Sequence, residues 1–166
     1  MKNRRSILKT LAALTAGLLV PSKGISSVFS PGDRIGELLP LRFLGKTGEK
    51  VTMLGLGGAH IARCDEQTAE AQIECAINGG IRFFDTAYSY GNGKSEERYG
   101  KYLVPKYREQ IFLMTKSTAP DAETLLKEVD LSLRRLNTDQ VDLLQIHSTA
   151  QLPLIFYLRQ WRDRPV

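Results

Sequence analysis

Three short apolar runs begin at a fixed interval along the chain. Ile81-Arg82-Phe83-Phe84, Ile111-Phe112-Leu113-Met114 and Val141-Asp142-Leu143-Leu144-Gln145-Ile146 start thirty residues apart. Continuous apolar runs of this length, bounded by turn-forming residues, read as buried strands. Helical patterns fill the intervals. Glu66 to Asn78 sets Ala69, Ile73, Ala76 and Ile77 on one face behind Asp65 as N-cap. It runs into Gly79-Gly80, where a chain leaving a helix commonly needs φ > 0. Ala122 to Leu136 sets Leu125, Leu126, Val129, Leu133 and Leu136 on a helical face behind Pro120-Asp121. Ser95 to Leu103 is expected to form a third helix, capped by Ser95. Parallel strands need a crossover of a dozen or more residues, so this period marks parallel βαβ architecture. Two arrangements carry it: an open doubly wound sheet and a closed (β/α)8 barrel.

Ahead of the first run, Pro40 to Gly58 reads as a β-hairpin. Leu41-Arg42-Phe43-Leu44 and Lys50-Val51-Thr52-Met53-Leu54 flank the glycine-containing turn Gly45-Lys46-Thr47-Gly48-Glu49. Gly55-Leu56-Gly57-Gly58 lacks the G-x-G-x-x-G spacing of a dinucleotide fingerprint and is expected to be a strand-to-loop turn.

The formal net charge of +5 has a single source. Residues 1–30 hold Lys2, Arg4, Arg5, Lys9 and Lys23 and no acidic side chain, leaving 18 basic and 18 acidic residues beyond them. No basic stripe remains to track phosphates, which excludes a nucleic-acid-binding reading of the charge. Asn3-Arg4-Arg5-Ser6-Ile7-Leu8-Lys9 precedes an apolar run from Leu11 to Val20, closed by Pro21. This basic start and short apolar stretch form an export-leader layout, and the paired arginines resemble a twin-arginine signal. The expectation is an exported, periplasmic protein that meets the export machinery through residues 1–30, with an uncleaved leader as a possible membrane tether. Residues 31–39 read as a linker. Cys64 and Cys75 form no CxxC or Cys/His cluster, so neither a zinc site nor a disulfide framework is expected; Cys75 reads as a core residue of its helix.

In a barrel, reactive side chains gather at the C-terminal ends of the strands. Asp85 and, five positions on, Tyr90 follow the first run; Lys116 ends the second and His147 the third. Singly, each has an ordinary structural explanation, since Asp caps helices and Tyr packs loops. Together their chemistry is coherent. Asp85 would hold the Lys116 ammonium, and a cation beside the Tyr90 phenol favours the phenolate and eases donation and return of a proton. His147 would hydrogen-bond a substrate carbonyl. Such a site lacks only a hydride source, which a nicotinamide supplies. A strand-end lysine is also the nucleophile of Schiff-base aldolases, which Lys116 leaves open.

At these residues the chain resembles the N-terminal half of an aldo-keto reductase. Arg42-Phe43-Leu44-Gly45-Lys46-Thr47-Gly48 and Leu54-Gly55-Leu56-Gly57-Gly58 are similar to the family's start. Phe84-Asp85-Thr86-Ala87-Tyr88-Ser89-Tyr90-Gly91 with Ser95-Glu96, then Thr115-Lys116 and Leu143-Leu144-Gln145-Ile146-His147, resemble its catalytic segments. The resemblance spans residues 40–148. It implies an α/β fold, the N-terminal half of a (β/α)8 TIM barrel preceded by a β-hairpin, and NADPH-dependent reduction of a small aldehyde or ketone. It further implies Asp85, Tyr90 as general acid, Lys116 and His147 as the catalytic set, with Gly57, Gly58 and Asp85 near the nicotinamide end of NADPH. After His147 the likeness stops. Residues 149–166 form an atypical tail, and a reading-frame change or truncation near residue 149 is expected. The alternative function is a non-catalytic remnant, or a half-barrel that associates with a second copy to cover its open edges.

Overall fold

The computed structural model describes residues 32–147; the expected leader and the whole of the atypical tail lie outside the described residues. Leu41–Phe43 (β1) and Lys50–Thr52 (β2) pair antiparallel, with Leu41 opposite Thr52 and Phe43 opposite Lys50. Their turn closes through Leu44 N donating to Glu49 O at 2.9 Å. Gly45 and Gly48 supply its positive φ values of 58° and 86°.

A parallel sheet of four strands follows, in the order β3-β4-β5-β6. Its members are Gly55–Gly57 (β3), Phe83–Asp85 (β4), Phe112–Ser117 (β5) and Leu143–Ile146 (β6). The thirty-residue rhythm therefore marks three of the four strands, each entering the sheet one or two residues after its apolar run begins. The glycine-rich stretch expected to be a strand-to-loop turn is instead the first strand. A Cβ on Gly55 would lie 2.9 Å from the Phe83 ring, so the neighbouring aromatic fills the space a strand side chain would take.

The helices between strands are Gly58–Ile61 (α1), Glu66–Asn78 (α2), Lys94–Arg98 (α3), Val104–Tyr107 (α4) and Ala122–Leu136 (α5). α2 buries Ala69, Ile73, Ala76 and Ile77, as its spacing dictates, and Asp65 accepts from Thr68 N at 2.8 Å. Cys75 lies two positions from both Ile73 and Ile77, on the far side of the helix, and is exposed rather than part of the core. The single helix expected over 95–103 is broken. α3 gives way to a π turn over Tyr99–Leu103, and α4 restarts with Pro105, whose missing N–H suits a first turn. Ser95 is not the cap; Gly93 holds that position at φ 95°, and the Ser95 hydroxyl turns inward to Thr86 Oγ1 at 2.7 Å.

Strand alternation sorts the two faces of the sheet. Phe84 and Leu113 point into the helices and are fully buried, within a cluster that includes Ile61, Ile73, Ile77, Tyr99, Leu103 and Leu136. Phe84 and Tyr99 meet edge to face at 5.9 Å, and the Tyr99 hydroxyl donates to Leu56 O at 3.1 Å. Burial, with a smaller contribution from the Asp85 charge, raises the Tyr99 phenol well above its ordinary range, so it stays a donor. Phe83, Asp85, Phe112 and Lys116 face the other way. Beneath the strands, Arg82 Nε donates to Asp33 Oδ2 at 2.6 Å and Arg82 Nη1 to Ile77 O at 2.8 Å, tying residue 33 to the start of β4.

Candidate active site

Asp85 is the last residue of β4 and Lys116 the penultimate residue of β5. The register sets Asp85 beside Gly57 on one side and Met114 on the other. Lys116 stands two residues beyond Met114, one pleat further up the same face. An ammonium one pleat above a carboxylate on the adjacent strand reaches it, and Lys116 Nζ donates to Asp85 Oδ1. Its other acceptors are Thr86 O at 2.8 Å and Tyr90 Oη at 3.4 Å. The lysine side chain is 10% exposed, against 31% for Asp85, so the cation is sheltered and the carboxylate keeps an open side.

Tyr90 reaches this point because of the turn it begins. Gly91, Asn92 and Gly93 follow with φ of 61°, 57° and 95°. Three successive left-handed residues reverse the chain within one turn, which glycine and asparagine tolerate and bulkier residues do not. A Cβ on Gly91 would lie 2.6 Å from Ala62 Cβ, so the turn rests directly on the end of α1. Upstream, Thr86 N donates to Met114 O and Tyr88 N to Lys116 O, each at 2.9 Å, extending the ladder beyond β4. His147 follows β6; its N–H donates to Ser117 O at 2.8 Å, and its ring meets that of Tyr90 edge-on at 5.4 Å. His147 Nδ1 lies 3.4 Å from Ser89 Oγ. The structure thus brings Asp85, Tyr90, Lys116 and His147 to one end of the sheet, where the sequence placed them.

The two glycines differ. Among the described residues a Cβ on Gly57 meets nothing within 4 Å, whereas one on Gly58 would lie 2.3 Å from Ser95 Oγ and 2.8 Å from Asp85 O. Gly58 is required by the packing of the chain on itself; Gly57 leaves open space beside Asp85. The residues present fit the nicotinamide end of NADPH: a backbone strip without a side chain at Gly57, next to a carboxylate whose Oδ2 accepts no bond among the described residues.

Behind the site lies a polar layer that the strand pattern did not reveal. Glu96, fully buried on α3, accepts from Thr115 Oγ1 at 2.7 Å and from Arg135 Nη1 at 3.3 Å. Ser117 Oγ and Thr118 N both donate to Glu128 Oε2, at 2.6 and 2.9 Å. The sequence singled out Ser95-Glu96 only as part of a likeness; nothing in the periodicity of α5 pointed to Arg135.

A parallel sheet whose helices cover one face, with ionisable side chains gathered at the strand ends, is the arrangement of part of an α/β barrel. The family model described as "Aldo/keto reductase family" matches residues 53–153. The chain belongs to the aldo/keto reductase family. It is 37% identical over 122 residues to the aldo-keto reductase YhdN of Bacillus subtilis, covering 63% of this chain and 36% of that protein. The holo form of aldo-keto reductase AKR11C1 from Bacillus halodurans superposes with a TM-score of 0.68 at 29% identity, over 75% of this chain and 46% of that one. The aldo-keto reductase of Klebsiella pneumoniae, solved in complex with NADPH, gives a TM-score of 0.61 at 26% identity, over 66% and 40% of the two chains. The chain spans well under two thirds of the length of these relatives.

Proposed function

We propose that the chain carries the proton-donating half of an NADPH-dependent carbonyl reductase. The observation that carries this reading is the contact of Lys116 Nζ with Tyr90 Oη at 3.4 Å, while the same nitrogen is held by Asp85. Lys116 directs its three hydrogens to Asp85, Thr86 O and Tyr90. Because Tyr90 Oη accepts from the lysine, its own hydrogen is free to point to a substrate oxygen. As charge develops on that oxygen, Tyr90 passes its proton over and the adjacent ammonium stabilises the phenolate left behind. NADPH, when bound, supplies hydride to the carbonyl carbon. Gly57 and the open oxygen of Asp85 would hold its nicotinamide end. For His147 to donate to the carbonyl from Nε2, Nδ1 must accept from Ser89, which the 3.4 Å separation allows.

The aldolase reading is disfavoured by the same contacts. An amine that donates to three acceptors offers no lone pair to a carbonyl carbon. The discriminating experiment is NADPH oxidation with an aromatic aldehyde, paired with borohydride trapping. Tyr90→Phe is expected to lower turnover by roughly 10²–10⁴ while NADPH still binds. A borohydride-stable adduct on Lys116, with turnover indifferent to Tyr90, would overturn the proposal.

A second reading rests on a different observation. Phe83 and Phe112, in edge contact at 5.6 Å on the face away from the helices, remain partly exposed, as does Leu143 beside them. That apolar face supports the association of two copies, with or without catalysis. For residues 1–30 we propose export to the periplasm by the twin-arginine route. Fusion of that segment to a reporter active only after folding and export is the test, and replacement of Arg4-Arg5 by Lys-Lys should retain the reporter in the cytoplasm.

A further inference from the structure

Arg135 stands near the end of α5, yet its side chain is spent on the loop between Asp85 and Tyr90. Nη1 donates to Tyr88 O at 3.4 Å, and the guanidinium stacks 4.9 Å from the centre of the Tyr88 ring. The side chain reaches there because glycine occupies Gly93, where a Cβ would lie 2.4 Å from Arg135 Cζ. Gly100 likewise admits the backbone of α5, since a Cβ there would lie 2.0 Å from Arg135 O. The counter-charge is Glu96, fully buried, whose second oxygen accepts from Thr115 Oγ1 at 2.7 Å. Thr115 immediately precedes Lys116, and Tyr88 stands two residues before Tyr90. One ion pair, its carboxylate buried and its guanidinium partly so, therefore grips the strand that carries the lysine and the loop that carries the tyrosine.

We infer that Glu96 and Arg135 are positioning residues that set the separation between Tyr90 Oη and Lys116 Nζ. The inference rests on the reductase reading for its catalytic consequence and on the loop contacts alone for its structural one. Without the guanidinium, Tyr88 O loses its side-chain donor and Glu96 becomes a buried charge with one neutral partner. The stretch around Tyr88 then keeps its backbone bonds to β5 through Thr86 N and Tyr88 N, with Thr86 Oγ1 on Ser95 and Ser89 Oγ near His147 Nδ1, but loses the tie of Tyr88 O to α5. A fork-shaped donor that also stacks is not reproduced by an ammonium, so Arg135→Lys should restore the arrangement only in part.

The test uses the whole chain carrying ring-labelled tyrosine, with the Tyr90 signal assigned by Tyr90→Phe. Arg135→Met is expected to raise amide exchange at Tyr88 and Tyr90 by about tenfold and to move the Tyr90 ring signal, while Ile77 and Leu113 keep their protection. Arg135→Lys should fall between. With NADPH and benzaldehyde, Arg135→Met should lower kcat by about tenfold and leave KM nearly unchanged. An unmoved Tyr90 signal, loop and core exchange rising together, or an unchanged kcat would each overturn the inference. If Arg135→Met does not fold, Arg135→Lys decides by whether its Tyr90 signal shifts. Absence of turnover in the unaltered protein would remove the reductase reading, and the exchange result would still decide the positioning.

Discussion

At the scale of single residues, the two neighbouring glycines where β3 ends and α1 begins make opposite predictions. Gly58→Ala drives a methyl into Ser95 Oγ and Asp85 O. It should destabilise the chain by about 1–3 kcal/mol in thermal or denaturant unfolding, the usual cost of overpacking. Gly57→Ala meets no atom of the described residues within 4 Å and should leave stability unchanged. If Gly57 borders the nicotinamide, the same methyl should weaken NADPH binding by about tenfold, read by quenching of cofactor fluorescence. Asp33 carries a pH signature. Its hydrogen bond from Arg82 lowers its pKa from 3.8 to about 2. A carboxyl with a lower pKa in the folded state than in the unfolded one contributes stability fully above the unfolded value. That contribution should be lost as pH falls from about 4 through about 2, and Asp33→Asn should flatten this part of the stability profile in acid titration.

At the scale of elements, legibility followed side-chain signal. The bounds and buried face of α2 are readable because its cap, its apolar spacing and its glycine terminus all speak the same pattern, although Cys75, expected in the core, is exposed. Asp121 caps α5 in the same way, accepting from Thr124 N at 2.8 Å. Asp121→Ala should cost about 1 kcal/mol of stability by circular dichroism melting. β3 was misread because a strand of two glycines around one leucine shows neither alternation nor an apolar run. The helix over 95–103 was misread because Ser95 has the composition of a cap and the job of a buried hydrogen-bond partner. In α5, Leu125, Leu126 and Leu133 are only half-buried while Ser132 is buried, so the described packing uses part of the apolar stripe that periodicity revealed. The strand-end positions of Asp85, Lys116 and His147 are legible because each stands within two residues of an apolar run, whereas Tyr90 lies five residues beyond Asp85. Glu96 and Arg135 are not legible, because an ion pair joining two helices leaves no periodic trace.

At the scale of the whole molecule, the partly exposed Phe83, Phe112 and Leu143 set the expectation for solution behaviour. If two copies cover these faces mutually, the melting temperature should rise with protein concentration, and a value constant across a hundredfold dilution would sink that idea. The order of the sheet has another consequence, one of timing. Each strand pairs with its immediate predecessor, so Asp85 and Lys116 meet across 31 residues and Tyr90 and Lys116 across 26. A ribosome adding about 5–20 residues each second would deliver the lysine within seconds of the aspartate. The central contacts of this chemistry can then close while synthesis continues, with little loop entropy to overcome. His147, whose ring meets a serine 58 residues earlier, arrives last. Assembly of the site would be read as a sequence of arrivals along the nascent chain: carboxylate, phenol, ammonium, imidazole.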